Sequence, residues 1–148
     1  MEQERVITSL RDAFPSAAVM DRRSKPSYGY RAVHVIANIS GKLIEIQVRS
    51  SFQHFWAELS EKFSDVFDPT IKYGGGSQKI RELLTRLSST GSNLERAEKD
   101  IAFMEKKIED QPQLKELRET MVQLKEALAG ARDRIMRLLE DKSDDLFN

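Results

Sequence analysis

A two-residue turn, Ser40-Gly41, between two β-branched runs at Arg31–Ile39 and Lys42–Arg49, constrains this chain more than any other feature. A loop that short closes an antiparallel hairpin and sets its register. Opposed residues share a face and side chains alternate along each strand, so Ala37 falls opposite Ile44, Val35 opposite Ile46 and Val33 opposite Val48. That face is wholly apolar. The other sets His34 opposite Gln47, Ile36 opposite Glu45 and Ala32 opposite Arg49, with Tyr30 and Arg31 just ahead of the first strand. A half-buried sheet ordinarily turns one polar face to water, and alternation alone asks for nothing more. Here, however, the polar face lacks the Lys/Thr/Ser mix of a solvated sheet. It gathers an imidazole, an amide, a carboxylate, a guanidinium and a phenol, which together can line a cleft.

The segments around the hairpin predict what covers it. Val6, Ile7, Leu10 and Phe14 recur at helical spacing in residues 2–14, and Pro15 ends that helix. Ala17–Asp21 reads as a short strand beside the hairpin, and Arg22–Tyr28 as a basic turn whose Arg22, Arg23 and Lys25 can meet phosphate oxygens or simply water. With Ser51 as N-cap, a second helix carries Phe52, Phe55, Trp56, Leu59, Phe63, Val66 and Phe67 in one stripe. The stripe is expected to pack on Val35, Ala37, Ile44, Ile46 and Val48, while His54 stays at the surface. Asp68-Pro69 stops this helix, and Gly74-Gly75-Gly76 reads as a flexible joint.

Beyond the glycines the pattern changes to heptads. Ile80, Leu83, Leu87, Thr90, Leu94, Ala97, Ile101, Met104 and Ile108 form one seam, and Leu114, Leu117, Met121, Leu124, Leu128, Ala131, Ile135 and Leu138 another. Glu109–Gln113, with this half's only proline, lies between them. The expected fold is therefore α+β: a small antiparallel sheet packed by an aromatic amphipathic helix over residues 1–73, a glycine linker at 74–76, a long antiparallel helical hairpin at 77–141 and a frayed tail at 142–148. The two seams can close on each other within one chain or between two chains, which would make a homodimer.

Composition excludes several classes of function. Lys+Arg and Asp+Glu both number 24 in 148 residues, so no global field recruits nucleic acid or membrane. Without cysteine there is no disulfide framework, thiol nucleophile or thiolate zinc site, and two scattered histidines argue against a structural metal. No apolar run approaches the ~18 residues of a membrane span, and MEQERVITSL has no signal-peptide core, so a cytoplasmic protein is expected.

GYRAVH at Gly29–His34, IEIQVRS at Ile44–Ser50 and WAELSEK at Trp56–Lys62 on the following helix resemble the RelA/SpoT family of nucleotide pyrophosphokinases, which make guanosine tetra- and pentaphosphate. The resemblance covers about residues 15 to 76 and corresponds to the second half of the family's synthetase domain. It implies that Tyr30 stacks on the base of the acceptor, GTP or GDP, and that His34 and Gln47 lie near its phosphates and ribose. Glu45 would be the essential glutamate, ligating Mg2+ or accepting the proton of the attacking 3′-hydroxyl, two roles a carboxylate can fill. Arg49 would pair with Glu45 or a phosphate, and Arg31 and Lys25 would add substrate contacts.

Two departures shape the expectation. Ser27 stands after Lys25-Pro26 where the family has asparagine. The family's ATP-binding basic motif and its magnesium-holding aspartate, followed by glycine and arginine, find no match before residue 15. Phosphoryl transfer needs donor, metal and acceptor held in line, so the implied chain is inactive alone and meets ATP only where the donor half is supplied elsewhere. Two alternatives remain open: a regulatory remnant that binds nucleotide or acts through its coiled coil, and pyrophosphorylation of the 3′ end of tRNA, which the balanced charge disfavours.

Overall fold

The computed structural model describes residues 2–107 and 112–147. Helix α1 (Glu2–Ala13) leads into a three-stranded antiparallel sheet of β1 (Ala18–Asp21), β2 (Val33–Ile39) and β3 (Lys42–Val48), in that order. Helix α2 (Ser51–Val66), a 3-10 turn at Ile71–Tyr73, and the long helices α3 (Gln78–Lys107) and α4 (Pro112–Phe147) follow. The chain has an α+β fold with a helical hairpin.

The sheet forms as its pattern dictates. Ser40 and Gly41 take φ of 52° and 81°, the positive pair that a two-residue hairpin turn with the strands' own twist demands. The pairing Ile39↔Lys42 that closes it sets Ala37↔Ile44, Val35↔Ile46, His34↔Gln47 and Val33↔Val48. β1 joins on the other side of β2, with Met20 opposite His34.

The aromatic helix packs differently from expectation. The apolar sheet face is covered by α1, whose Ile7 and Leu10 meet Val33, Val35, Ile46 and Val48. The α2 stripe turns instead to the helical hairpin: Phe55, Trp56, Leu59 and Phe63 share one core with Ile71, Leu84 and Leu139. Both surfaces are apolar; α1 takes the sheet face and the α2 stripe takes the hairpin. Ser50 rather than Ser51 caps α2, because only Ser50 has Gln53 three residues on to complete a capping box.

The glycines at 74–76 form a packed turn. Gly75 N–H donates to the Thr70 carbonyl at 2.9 Å, and a Cβ on Gly74 would lie 2.3 Å from the Tyr28 ring. Ile71 is buried in the α2 core, so the hairpin is docked on the first half of the chain. Its inward rows follow the heptad reading in part: on α3 the expected Ile80, Leu87, Leu94, Ala97, Ile101 and Met104 are half-buried or buried. On α3, Leu84, Ser88 and Gly91 are buried while Leu83 and Thr90 are exposed. Small residues let α3 approach closely, and a Cβ on Gly91 would lie 2.1 Å from Phe52. On α4, Leu114, Met121, Leu128, Ala131 and Ile135 are half-buried while Leu117, Leu124 and Leu138 face out, so the expected seam is used in part. Ile108 and most of the expected turn, residues 108–111, lie outside the described residues, and α4 opens at Pro112, a favoured first helical position. Where a frayed tail was expected, α4 continues to Phe147, since 142–147 hold neither proline nor glycine.

Candidate functional site

A second tight turn presents the tyrosine. Ser27 and Tyr30 exchange backbone hydrogen bonds of 3.2 and 2.9 Å around Tyr28-Gly29, whose φ values are 53° and 95°. Gly29 is held from the far side. Its carbonyl accepts the Ser88 hydroxyl at 2.7 Å, and a Cβ there would lie 2.8 Å from Cζ2 of Trp56. Trp56 is fixed in turn by donating its indole N–H to the Leu84 carbonyl at 2.7 Å, and its ring lies 6.2 Å from that of Tyr30. The motif glycine thus places Tyr30 against the core of α2 and α3.

From Tyr30 a continuous set of hydrogen bonds crosses the sheet. The Tyr30 hydroxyl lies 3.0 Å from His34 Nε2, and His34 Nδ1 lies 2.5 Å from Glu45 Oε1. Gln47 Nε2 donates to Glu45 Oε2 at 3.1 Å, and Arg49 Nη2 donates to the Tyr30 hydroxyl at 3.0 Å and also to Gln47 Oε1. A neutral His34 protonated on Nδ1 satisfies the whole path: Arg49 to Tyr30, Tyr30 to His34, His34 to Glu45. The Arg49 guanidinium also lies over the Tyr30 ring, 5.3 Å from its centroid. His34 is nearly buried while the Glu45 side chain is 46% exposed, so the path runs from the core to solvent.

The electrostatics follow from these contacts. The Gln47 amide, then the His34 hydrogen bond, hold the Glu45 carboxyl below its ordinary value, and the Arg22 charge adds to the effect. Glu45 is therefore ionised at neutral pH, suited to accepting a hydrogen bond and a weaker base than an ordinary glutamate. Magnesium is usually held by one or two carboxylates together with waters and substrate phosphates. Among the described residues no group of three or more histidines and acids could hold a metal, and both Glu45 oxygens already accept hydrogen bonds.

Five of the seven expected site residues, Tyr30, His34, Glu45, Gln47 and Arg49, are thus joined. The other two are not. Arg31 donates from Nε to the Arg23 carbonyl at 3.1 Å and pairs through Nη2 with Glu95 of α3 at 3.0 Å. Glu95 also accepts from the Ser50 hydroxyl at 2.5 Å and from Gln53 Nε2 at 2.9 Å, so it gathers the end of the sheet and the start of α2. Lys25 is exposed in the turn, outside the network. The contributions of Trp56, Ser88 and Glu95 had no local signal, since each acts across at least 26 residues of chain, from Trp56 to Tyr30, or more. Arg22, read as one of three turn cations, adds a charge effect at Glu45 smaller than those of Gln47 and His34.

An open cleft of about 1420 Å³ is lined by the starts of α1 and α2, the end of β3 and the helical hairpin, with Arg31, Gln47, Arg49, Ser50 and Glu95 on its wall. That exceeds a typical small-molecule pocket of about 300–1,000 Å3. The network borders it at Gln47 and Arg49. Among the described residues no helix is long and apolar enough to cross a membrane.

No family model and no solved structure matches the chain. Uncharacterized proteins of Mycobacterium bovis and of two Mycobacterium tuberculosis strains are each 36% identical to it over 74 residues, 49% of this chain. The chain spans 27% of the length of these curated relatives.

Proposed function

We propose that the polar sheet face binds a guanine nucleotide, GTP or GDP, and that the chain carries the acceptor half of a RelA/SpoT-like pyrophosphokinase. One observation carries the reading: the five motif residues Tyr30, His34, Glu45, Gln47 and Arg49 meet in one hydrogen-bonded network on one face. A flat phenol supplies a stacking surface, Arg49 and Arg22 supply cations for phosphate, and ionised Glu45 supplies an acceptor for a sugar hydroxyl. In the family reaction a diphosphate passes from ATP to that 3′-hydroxyl. The bond broken joins the α- and β-phosphorus atoms through oxygen, AMP leaves, and the hydroxyl proton is lost. On this reading the residues of this chain hold the acceptor, and transfer calls for a donor half as well. Magnesium enters no step of this reading. A cytoplasmic location belongs with the nucleotide pool.

A second reading is favoured by the fastening of the helical hairpin to the motif, through Ser88 on the Gly29 carbonyl and Glu95 on Arg31. On that reading nucleotide binding is relayed to a helical interaction surface. Incubating the chain with γ-labelled ATP, magnesium and GDP or GTP, alongside calorimetric titration of GDP, tests the nucleotide binding on which both readings rest. The expected result is no labelled product and saturable GDP binding that Tyr30→Ala weakens at least about tenfold, the loss of one base-stacking contact. Labelled tetra- or pentaphosphate abolished by Glu45→Ala would show a complete enzyme instead. Absence of GDP binding would overturn the nucleotide reading.

A further inference from the structure

Arg49 occupies the surface on which a base would stack. Its guanidinium lies over the Tyr30 ring, 5.3 Å from the centroid, and Nη2 is spent on the Tyr30 hydroxyl and on Gln47 Oε1. Its Nε, by contrast, is buried with no hydrogen-bond partner among the described groups. A guanidinium presents its N–H groups in a planar fork that matches two phosphate oxygens, and a buried N–H left unmade is costly. The arginine is therefore better satisfied by an oxyanion than by its resting place.

We propose that Arg49 is a specificity gate: it covers the Tyr30 ring until a phosphate draws it away, so that base stacking depends on the nucleotide's phosphates. The inference rests on the guanine-nucleotide reading above. A nucleoside without phosphate must displace the guanidinium from the ring and leave it without an anion. A nucleoside diphosphate supplies the anion itself. Phosphate and base are then positively coupled through one side chain, and such coupling is reciprocal.

Calorimetry with guanosine, GDP and inorganic pyrophosphate on the intact chain tests the gate. In the unmodified protein, millimolar pyrophosphate is expected to raise guanosine affinity several-fold, and Arg49→Ala to abolish that effect. Arg49→Ala, with its fold checked by circular dichroism, is expected to bind guanosine about tenfold more tightly and GDP about tenfold more weakly. Pyrophosphate that leaves guanosine binding unchanged or weakens it, or an Arg49→Ala variant that loses affinity for guanosine and GDP alike, would overturn the gate. It would leave the nucleotide reading intact wherever GDP binding still depends on Tyr30. If GDP fails to bind the unmodified protein, both fall together.

Discussion

Glu45 reaches solvent, and its protonation can be followed directly. Its carboxyl is held low by Gln47 first and His34 second. A depressed carboxyl stabilises the fold above its unfolded value, about 4.3, and that contribution is lost as pH falls through the lower folded value. Carbon-13 NMR titration should therefore place the Glu45 midpoint below the ordinary value, with Gln47→Ala raising it more than His34→Ala; the reverse order would contradict the assignment. Gly29 gives a second residue-level test. With φ of 95° and Trp56 2.8 Å from a hypothetical Cβ, Gly29→Ala meets both backbone strain and a clash, whereas Gly41→Ala, at φ 81°, meets open space. The first should cost about 2–3 kcal/mol and the second about 1 kcal/mol, read as thermal midpoints lowered by about 2–4 °C per kcal/mol. Equal shifts would show that Trp56 yields freely. The His34, Glu45 and Gln47 placements were legible in the sequence because strand alternation and a two-residue turn leave no other register. The pairing of Arg31 with Glu95 was not, because 64 residues of chain separate partners that only the tertiary fold brings together.

The elements themselves were largely legible, and their partners less so. Helix α2 was visible from its aromatic stripe, but a stripe states only that a face is buried and not against what. Two apolar surfaces, the sheet and the helical hairpin, could both receive it, and packing decided between them. The heptads were similarly ambiguous: a helix with 3.6 residues per turn drifts against a seven-residue repeat, and small residues can define a contact row that hydrophobic counting overlooks. Leu84 and Leu83 separate the two readings of this turn of α3. Leu84→Ala, at 3% exposure in the α2 core, should cost about 2–4 kcal/mol in urea unfolding, while Leu83→Ala, at 44% exposure, should stay within about 0.5 kcal/mol. A larger loss at Leu83 would show that this turn of α3 keeps the heptad position instead.

Over the whole molecule, the hairpin and the sheet are held together at Glu95, where Arg31, Ser50 and Gln53 converge. The Arg31 and Glu95 side chains are only 11% and 19% exposed, so removing one partner strands the other. Glu95→Ala should destabilise the fold by about 3 kcal/mol, and Arg31→Met with Glu95→Met together by less than Glu95→Ala alone, since a matched apolar pair leaves no stranded charge. A double variant less stable than the single would contradict that account. The nucleotide binding proposed for the chain rests on the neighbouring network. Its most direct test is a two-dimensional NMR titration of the labelled protein with GDP, in the unmodified chain and in Tyr30→Ala. Binding on the polar sheet face predicts saturable shifts centred on Tyr30, His34, Glu45, Gln47 and Arg49 that collapse in the variant. Unmoved resonances at those five positions, or shifts that persist without Tyr30, would contradict it.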